Sequence, residues 1–180
     1  VDRFQIGCQK MASPRLDGLT YEVGVGTATG SVNALEMCPS RSAMYRLQPS
    51  VATGTGIKSI GGACRVVRNT SQNAAVTVDP APTDEMKAHI VPGIGRHYSH
   101  GPGVTLNDSC PGNGLLVGLV LEDDQQKFWG VRGLCVADPA KWINNPSPND
   151  VSVRPTLGST RATHFRTRCP DRRFLVGWRI

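Results

Sequence analysis

Good helix formers are scarce in this 180-residue chain, and no apolar run comes near the roughly 18 residues of a membrane-spanning helix. Val, Thr, Ser, 20 glycines and 13 prolines dominate instead. Short apolar runs recur about every ten positions between turn residues, which excludes a helical bundle and favours an all-β domain. Aromatic residues are only 6% of the chain and do not interleave with the basic ones, so a base-stacking nucleic-acid surface is not expected. The Cys-x-x-Cys spacing of a zinc or redox site is absent, as is the Gly-x-Ser-x-Gly elbow of a serine hydrolase. The string "GVGTATG" at Gly24 to Gly30 lacks the Lys-Ser/Thr ending of a phosphate loop and reads as a turn between strands. The first residues lack the apolar core of a signal peptide, so a secreted chain is expected here in mature form.

What is present is an even set of six cysteines, which without metal-ligand spacing reads as a disulfide framework and an oxidising, extracellular compartment. Two sequons agree, Asn69-Thr70-Ser71 and Asn107-Asp108-Ser109, while Asn145-Pro146-Ser147 is spoiled by its proline. N-glycosylation is therefore expected at Asn69 and Asn107.

The cysteines belong to a repeat. Cys-Pro occurs three times, each time followed by a short turn and an apolar strand: "CPSRSAMYRLQ" from Cys38, "CPGNGLLVGLVL" from Cys110 and "CPDRRFLVGWRI" from Cys169. Met44 aligns with Leu116 and Leu175, Leu47 with Leu119 and Trp178, and Gly118 with Gly177. A second strand ending in cysteine also occurs three times, as "IKSIGGAC" to Cys64, "FWGVRGLC" to Cys135 and "VDRFQIGC" to Cys8. In the first two cases it follows the Cys-Pro strand, with 26 and 25 positions between the cysteines. The third hairpin is cut, because its first strand ends the chain and its second begins it. The repeat therefore predicts that the terminal strands pair, leaving no open edge there. The predicted bridges are Cys8–Cys169, Cys38–Cys64 and Cys110–Cys135.

Counted cyclically, the three units (169–180 with 1–37, 38–109 and 110–168) run 49, 72 and 59 residues between Cys-Pro cysteines. Units of that size hold about four strands each, so the expected fold is a single all-β domain in which three sheets surround an axis as a β-prism.

These motifs resemble the vitelline membrane outer layer protein I family, whose hallmark is Cys-Pro, a turn, an apolar-x-Gly strand, a loop and a Gly-containing strand ending in Cys. "CPGNGLLVGLVLEDDQQKFWGVRGLC" is the closest segment, "CPSRSAMYRLQPSVATGTGIKSIGGAC" a looser one, and "CPDRRFLVGW" carries the first half. The "HGPGVTLNDSCP" stretch is similar to that family's lead-in without its tryptophans. The resemblance implies three Greek-key sheets, an extracellular coat role and oligosaccharide binding in a cleft. The family's loop acids match only Glu122, Asp123 and Asp124, and the equivalent loop at Gln48 to Gly56 has none. No transferase-like or hydrolytic activity is carried over.

Taken on their chemistry, the acids at 122 to 124 form a solvated turn rather than the facing carboxylate pair that glycoside cleavage needs. Asp84 and Glu85 mark a helix start or an exposed loop. His97 and His100 in "RHYSH" lack a third metal ligand, and no metal or cofactor is expected. Net charge is +6, and Arg154, Arg161, Arg166, Arg168, Arg172, Arg173 and Arg179 crowd the last 26 residues or so against a single acid, Asp171. Arg166 and Arg168 alternate on one strand face. With Arg3, Arg172, Arg173 and Arg179 they are the candidate patch for sulfate, carboxylate or phosphate groups, the plainer reading being a merely solubilising face. Trp129 and Trp178 are expected in the core, while Trp142, in the loop "AKWINNPSPND", is the sugar-stacking candidate.

The expected function is that of a secreted, non-enzymatic structural, matrix or coat protein. Its expected partners are extracellular polysaccharide or an anionic surface, with self-assembly a further option. A lectin with defined sugar pockets is the alternative, and a glycan-acting enzyme the third.

Overall fold

A computed structural model describes residues 4–10, 20–22, 35–39, 41–52, 54, 56–69, 76–90, 104–124 and 128–179, with 20–22, 35–36, 69, 76–90 and 179 described by their backbone. Its strands begin with β1 (Gln5–Lys10), β2 (Thr20–Glu22), β3 (Leu35–Met37), β4 (Ser42–Ala52) and β5 (Gly56–Asn69). Next come β6 (Val76–Ile90), β7 (Val104–Thr105), β8 (Asp108–Ser109), β9 (Leu115–Asp123) and β10 (Phe128–Val136). After α1 (Pro139–Asn144) follow β11 (Val151–Val153), β12 (Leu157–Gly158), β13 (Thr163–Arg168) and β14 (Arg173–Arg179). The protein is all-β with one short helix among the described residues. No helix there is long and apolar enough to cross a membrane.

The strands form three sheets, ordered β2-β1-β14-β3, β6-β5-β4-β7 with β8 also on β4, and β11-β10-β9-β13 with β12 also on β10. The second and third sheets place a later strand beside the first of three successive ones, the Greek-key order, and the first sheet has the same order when β14 is counted ahead of β1. The centre of each is a Cys-Pro strand (β14, β4 or β9) antiparallel to a strand holding the second cysteine (β1, β5 or β10). In the first sheet these are the chain's terminal strands, with Gln5 opposite Arg179 and Lys10 opposite Arg173.

Alternation alone does not account for the core. Met44 and Leu47 are three residues apart, an odd step that in a regular strand would put them on opposite faces. A bulge at Tyr45 corrects this, the ladder passing from Met44↔Cys64 directly to Arg46↔Ala63. The same bulge falls at Val117 and at Val176. Met44, Leu116 and Leu175, with Leu47, Leu119 and Trp178, thereby join one buried cluster drawn from all three sheets. The flanking pairs Ala43 and Tyr45, Leu115 and Val117, and Phe174 and Val176 enter a second cluster. The Cys-Pro strands are therefore covered on both faces, and Phe174 to Trp178 is wholly buried.

Within the first cluster the repeats divide the volume unequally. Leu47 pairs with Gly62 and Leu119 with Gly133, whereas Trp178 pairs with Ile6. A Cβ on Gly62 would lie 3.5 Å from the Trp178 ring and 2.7 Å from the Arg46 carbonyl. One large pair and two small ones fill a shared interior that three equal pairs would overfill.

The three bridges are Cys8–Cys169, Cys38–Cys64 and Cys110–Cys135, with Cα separations of 5.6, 5.8 and 5.6 Å. They do more than close hairpins. A bulge frees one strand carbonyl, and each of these accepts from the amide of the cysteine that opens the next repeat. Cys110 donates to Tyr45 at 2.8 Å, Cys169 to Val117 at 2.7 Å and Cys38 to Val176 at 2.7 Å. Each Cys-Pro cysteine is thus hydrogen-bonded to one sheet and covalently joined to the following one. The cycle runs through all three.

Two expectations fail locally. Asp84 and Glu85 lie in β6, opposite Cys64 and Ala63, because the long β5 offers a partner ladder that overrides their helix-start pattern. The stretch Gln48 to Gly56 is mostly strand, with Gln48 to Ala52 in β4 and Gly56 opening β5. Residues 24–30, His97 and His100 lie outside the described residues.

Candidate functional site

Of the acids at the β9–β10 end, Glu122 is buried in a structural clamp rather than solvated, while Asp123 is half-buried and Asp124 exposed. Glu122 is 1% exposed, with Arg132 Nη2 2.5 Å from its Oε1 and the Arg161 amide donating to Oε2 at 3.0 Å. Asp123 offers its carbonyl to the Thr163 hydroxyl, and Asp124 accepts from Trp129 Nε1. Arg161 then lies over the Trp129 ring, 3.7 Å from its centroid. Trp129 is half-buried under this arginine and not in the core, because β10 turns it toward the segment before β13. Replacing Glu122 by Ala leaves Arg132 without its buried partner; the expected cost is about 2 kcal/mol, discounted because Arg132 is partly solvated, and urea unfolding checks it.

Trp142 is also displaced from its expected role. Asp138 caps α1 by accepting from the Lys141 amide at 2.9 Å, and Pro139 fits the first turn. The helix turns Trp142 inward to 0% exposure, its Nε1 donating to the Arg173 carbonyl at 3.0 Å. It offers no face to a sugar. Burial here satisfies the indole N–H and covers the second core cluster.

The arginine patch is redistributed. Arg3 and the side chain of Arg179 lie outside the described residues, and the Arg179 backbone sits at the far end of β14 from Arg173, about 20 Å away at strand rise. The two ends of that strand cannot share one compact patch. Arg154 is committed elsewhere, gripping Asp108 of β8 bidentately at 2.8 and 2.9 Å. That hydrogen-bonded pair holds its pKa above the ordinary arginine value against the opposing desolvation. Arg166 and Arg168 do share the face of β13; Arg166 is exposed, and Arg168 is half-buried, 3.3 Å from Asp171 and 5.8 Å from the Trp142 ring centroid.

Basic residues stand at the Cys-Pro turns instead. Ser42 donates to the Pro39 carbonyl and Arg173 to that of Pro170, closing equivalent turns. The third residue of each turn is an exposed arginine with positive φ, Arg41 at 63° and Arg172 at 66°. Glycine is the ordinary occupant of that conformation, and a bulky side chain there costs about 1–2 kcal/mol. The turn from Pro111 to Gly114 differs: its positive φ, 56°, falls on its second residue, Gly112, and Asn113 stands where the arginines do. Arg65 links the Arg41 turn to the Gly112 turn: it sits opposite Ala43, reaches the Gly112 carbonyl at 2.8 Å and lies 3.9 Å over the Tyr45 ring centroid. Lys10, exposed, is the register partner of Arg173 beside the remaining turn. The starts of all three Cys-Pro strands enter the second core cluster.

Arg41, Arg65 and Lys10 escaped the sequence reading because they are scattered along the chain. A signal for Arg41 was present, since Arg41 and Arg172 both stand three residues after a Cys-Pro cysteine. Among the described residues no group of His, Cys, Asp and Glu is arranged to hold a metal ion. Compared with known proteins, the chain matches no family model, no curated protein and no solved structure.

Proposed function

We propose that this is a secreted, non-enzymatic coat or matrix protein, its three Greek keys arranged as a β-prism, that meets anionic polysaccharide through the basic end formed by the Cys-Pro turns. The observation that carries the reading is the pair of exposed arginines held at positive φ in equivalent turns. Backbone strain kept where glycine would relieve it points to use of the side chain. The prism arrangement is supported by the cyclic amide-to-carbonyl bonds and by a core shared among all sheets. The resemblance to the vitelline membrane outer layer protein I family favours the coat role, and the three disulfides suit an extracellular setting. A glycan-acting enzyme is disfavoured because Glu122 and Asp124 are engaged by Arg132, Arg161 and Trp129.

The test is capture on sulfated and neutral polysaccharides at low and high salt, for the native chain and for R41G/R172G. The native chain is expected to bind the sulfated polymer in a salt-sensitive manner. The double variant is expected to bind about tenfold or more weakly, at about 1 kcal/mol per arginine near an anionic surface. It should also be more stable, by about 0.5–1 kcal/mol per site once glycine's own entropy is set against the relieved strain. Unchanged binding sinks the reading. Salt-resistant capture on a neutral polymer, released by one free sugar, would move the function to a lectin and to the half-buried indole of Trp129.

A further inference from the structure

We propose that Asn107 carries an N-linked glycan covering the seam between the second and third sheets, a proposal that rests on the secreted reading above. Asn107-Asp108-Ser109 is an acceptor sequon. The structure gives its three residues different surroundings. Leu106 anchors the link between β7 and β8 by donating to the Pro49 carbonyl at 2.9 Å. Asp108 is held by Arg154 of the third sheet's region, and Ser109 lies in the ladder opposite Arg46. Asn107, between these fixed points, is exposed. A sugar on it displaces no packed atom.

The place also has a use for one. The large hydrophobics left exposed among the described residues are Val104 at 67% and Val153 at 48%. Val104 stands three residues before Asn107 on the same sheet edge, and Val153 precedes the Arg154 that grips Asp108. The edge made by β7 and β8 is short, interrupted and apolar at its start, the kind of edge that proteins cover to prevent pairing with other chains. A hydrated oligosaccharide anchored between the two valines covers both. In the modification, the Asn107 amide nitrogen bonds to the anomeric carbon of an oligosaccharide carried on a lipid pyrophosphate. The bond from that carbon to the phosphate oxygen breaks, the lipid pyrophosphate leaves, and the amide loses one proton.

The full chain, expressed through a eukaryotic secretory pathway, tests this by intact mass before and after enzymatic removal of N-glycans, in both cell lysate and medium. Native protein is expected to lose the mass of a glycan and to show Asn107 converted to Asp. N107Q and S109A should lose that modification, while S109T, which keeps the sequon, should retain it. A chain with unmodified Asn107 in both fractions overturns the proposal. Alkylation of free thiols on the same samples scores the secreted reading separately, since a glycan on Asn107 with unpaired cysteines would fail that reading alone. An apolar-probe dye should bind more strongly after deglycosylation, and equal binding would overturn the covering role.

Discussion

Replacing Cys8 and Cys169 together by alanine is expected to cost about 5 kcal/mol, against about 3.5 kcal/mol for the same change at Cys38 and Cys64. The difference arises in the unfolded chain. The first bridge spans 161 positions and the second 26, so releasing the first returns more conformational freedom to the denatured ensemble. Local chemistry is nearly matched, since Cys8, Cys64 and Cys169 are all fully buried and each Cys-Pro amide keeps its bond to a bulge carbonyl after substitution. A loss near 5 kcal/mol is a large share of the 5–15 kcal/mol that a domain commonly has. The long bridge is also the covalent link that holds β1 to the Cys-Pro turn opening its own repeat. Urea unfolding of both double variants gives the comparison, and hydrogen exchange should show β1 amides opening first in C8A/C169A. Equal losses would mean that residual structure keeps the ends of the reduced chain together.

Gly118→Val is expected to cost about 3 kcal/mol or more, a magnitude at the upper end of overpacking because the atoms in the way are backbone. A Cβ on Gly118 would lie 2.8 Å from the Arg168 Cα, nearer still to the Thr167 carbonyl oxygen, and 3.1 Å from Leu134 Cδ1. Gly118 pairs with Arg168 and with Leu134, so neither neighbouring strand can retreat without breaking a ladder. Denaturant unfolding measures the loss. A cost under about 1 kcal/mol would show that β13 is free to shift outward.

Gly118 illustrates what was legible. Its alignment with Gly177 marked the position as special, but the crowding that explains it comes from β13, about 50 residues on in the sequence. The pairing of the terminal strands was legible for a related reason: two intact copies of the hairpin exist for comparison with the cut one. Trp142 shows the opposite case. The Asp-Pro start of α1 was a readable cap, yet the direction of the indole depends on the Arg173 carbonyl, contributed by the next repeat 31 residues on. Glu122 was misplaced likewise, because Arg132 and the Arg161 amide bury it from two separate segments. The charged patch was drawn from neighbours in sequence. The proposed basic end draws on turns that lie far apart along the chain.

The sequence by itself determined the all-β class, the three-fold repeat, the cysteine pairs and the joining of the termini, because each is written in local patterns that recur and can be aligned. Only the tertiary structure decided that the odd spacing of core residues becomes a bulge, that the freed carbonyls bind the next repeat's cysteines, and that Arg41 and Arg172 stand in strained, exposed turns. The physical reason is that a side chain's surroundings, and a backbone carbonyl's partner, are supplied by segments distant in sequence. Local periodicity carries no information about which of those segments arrives.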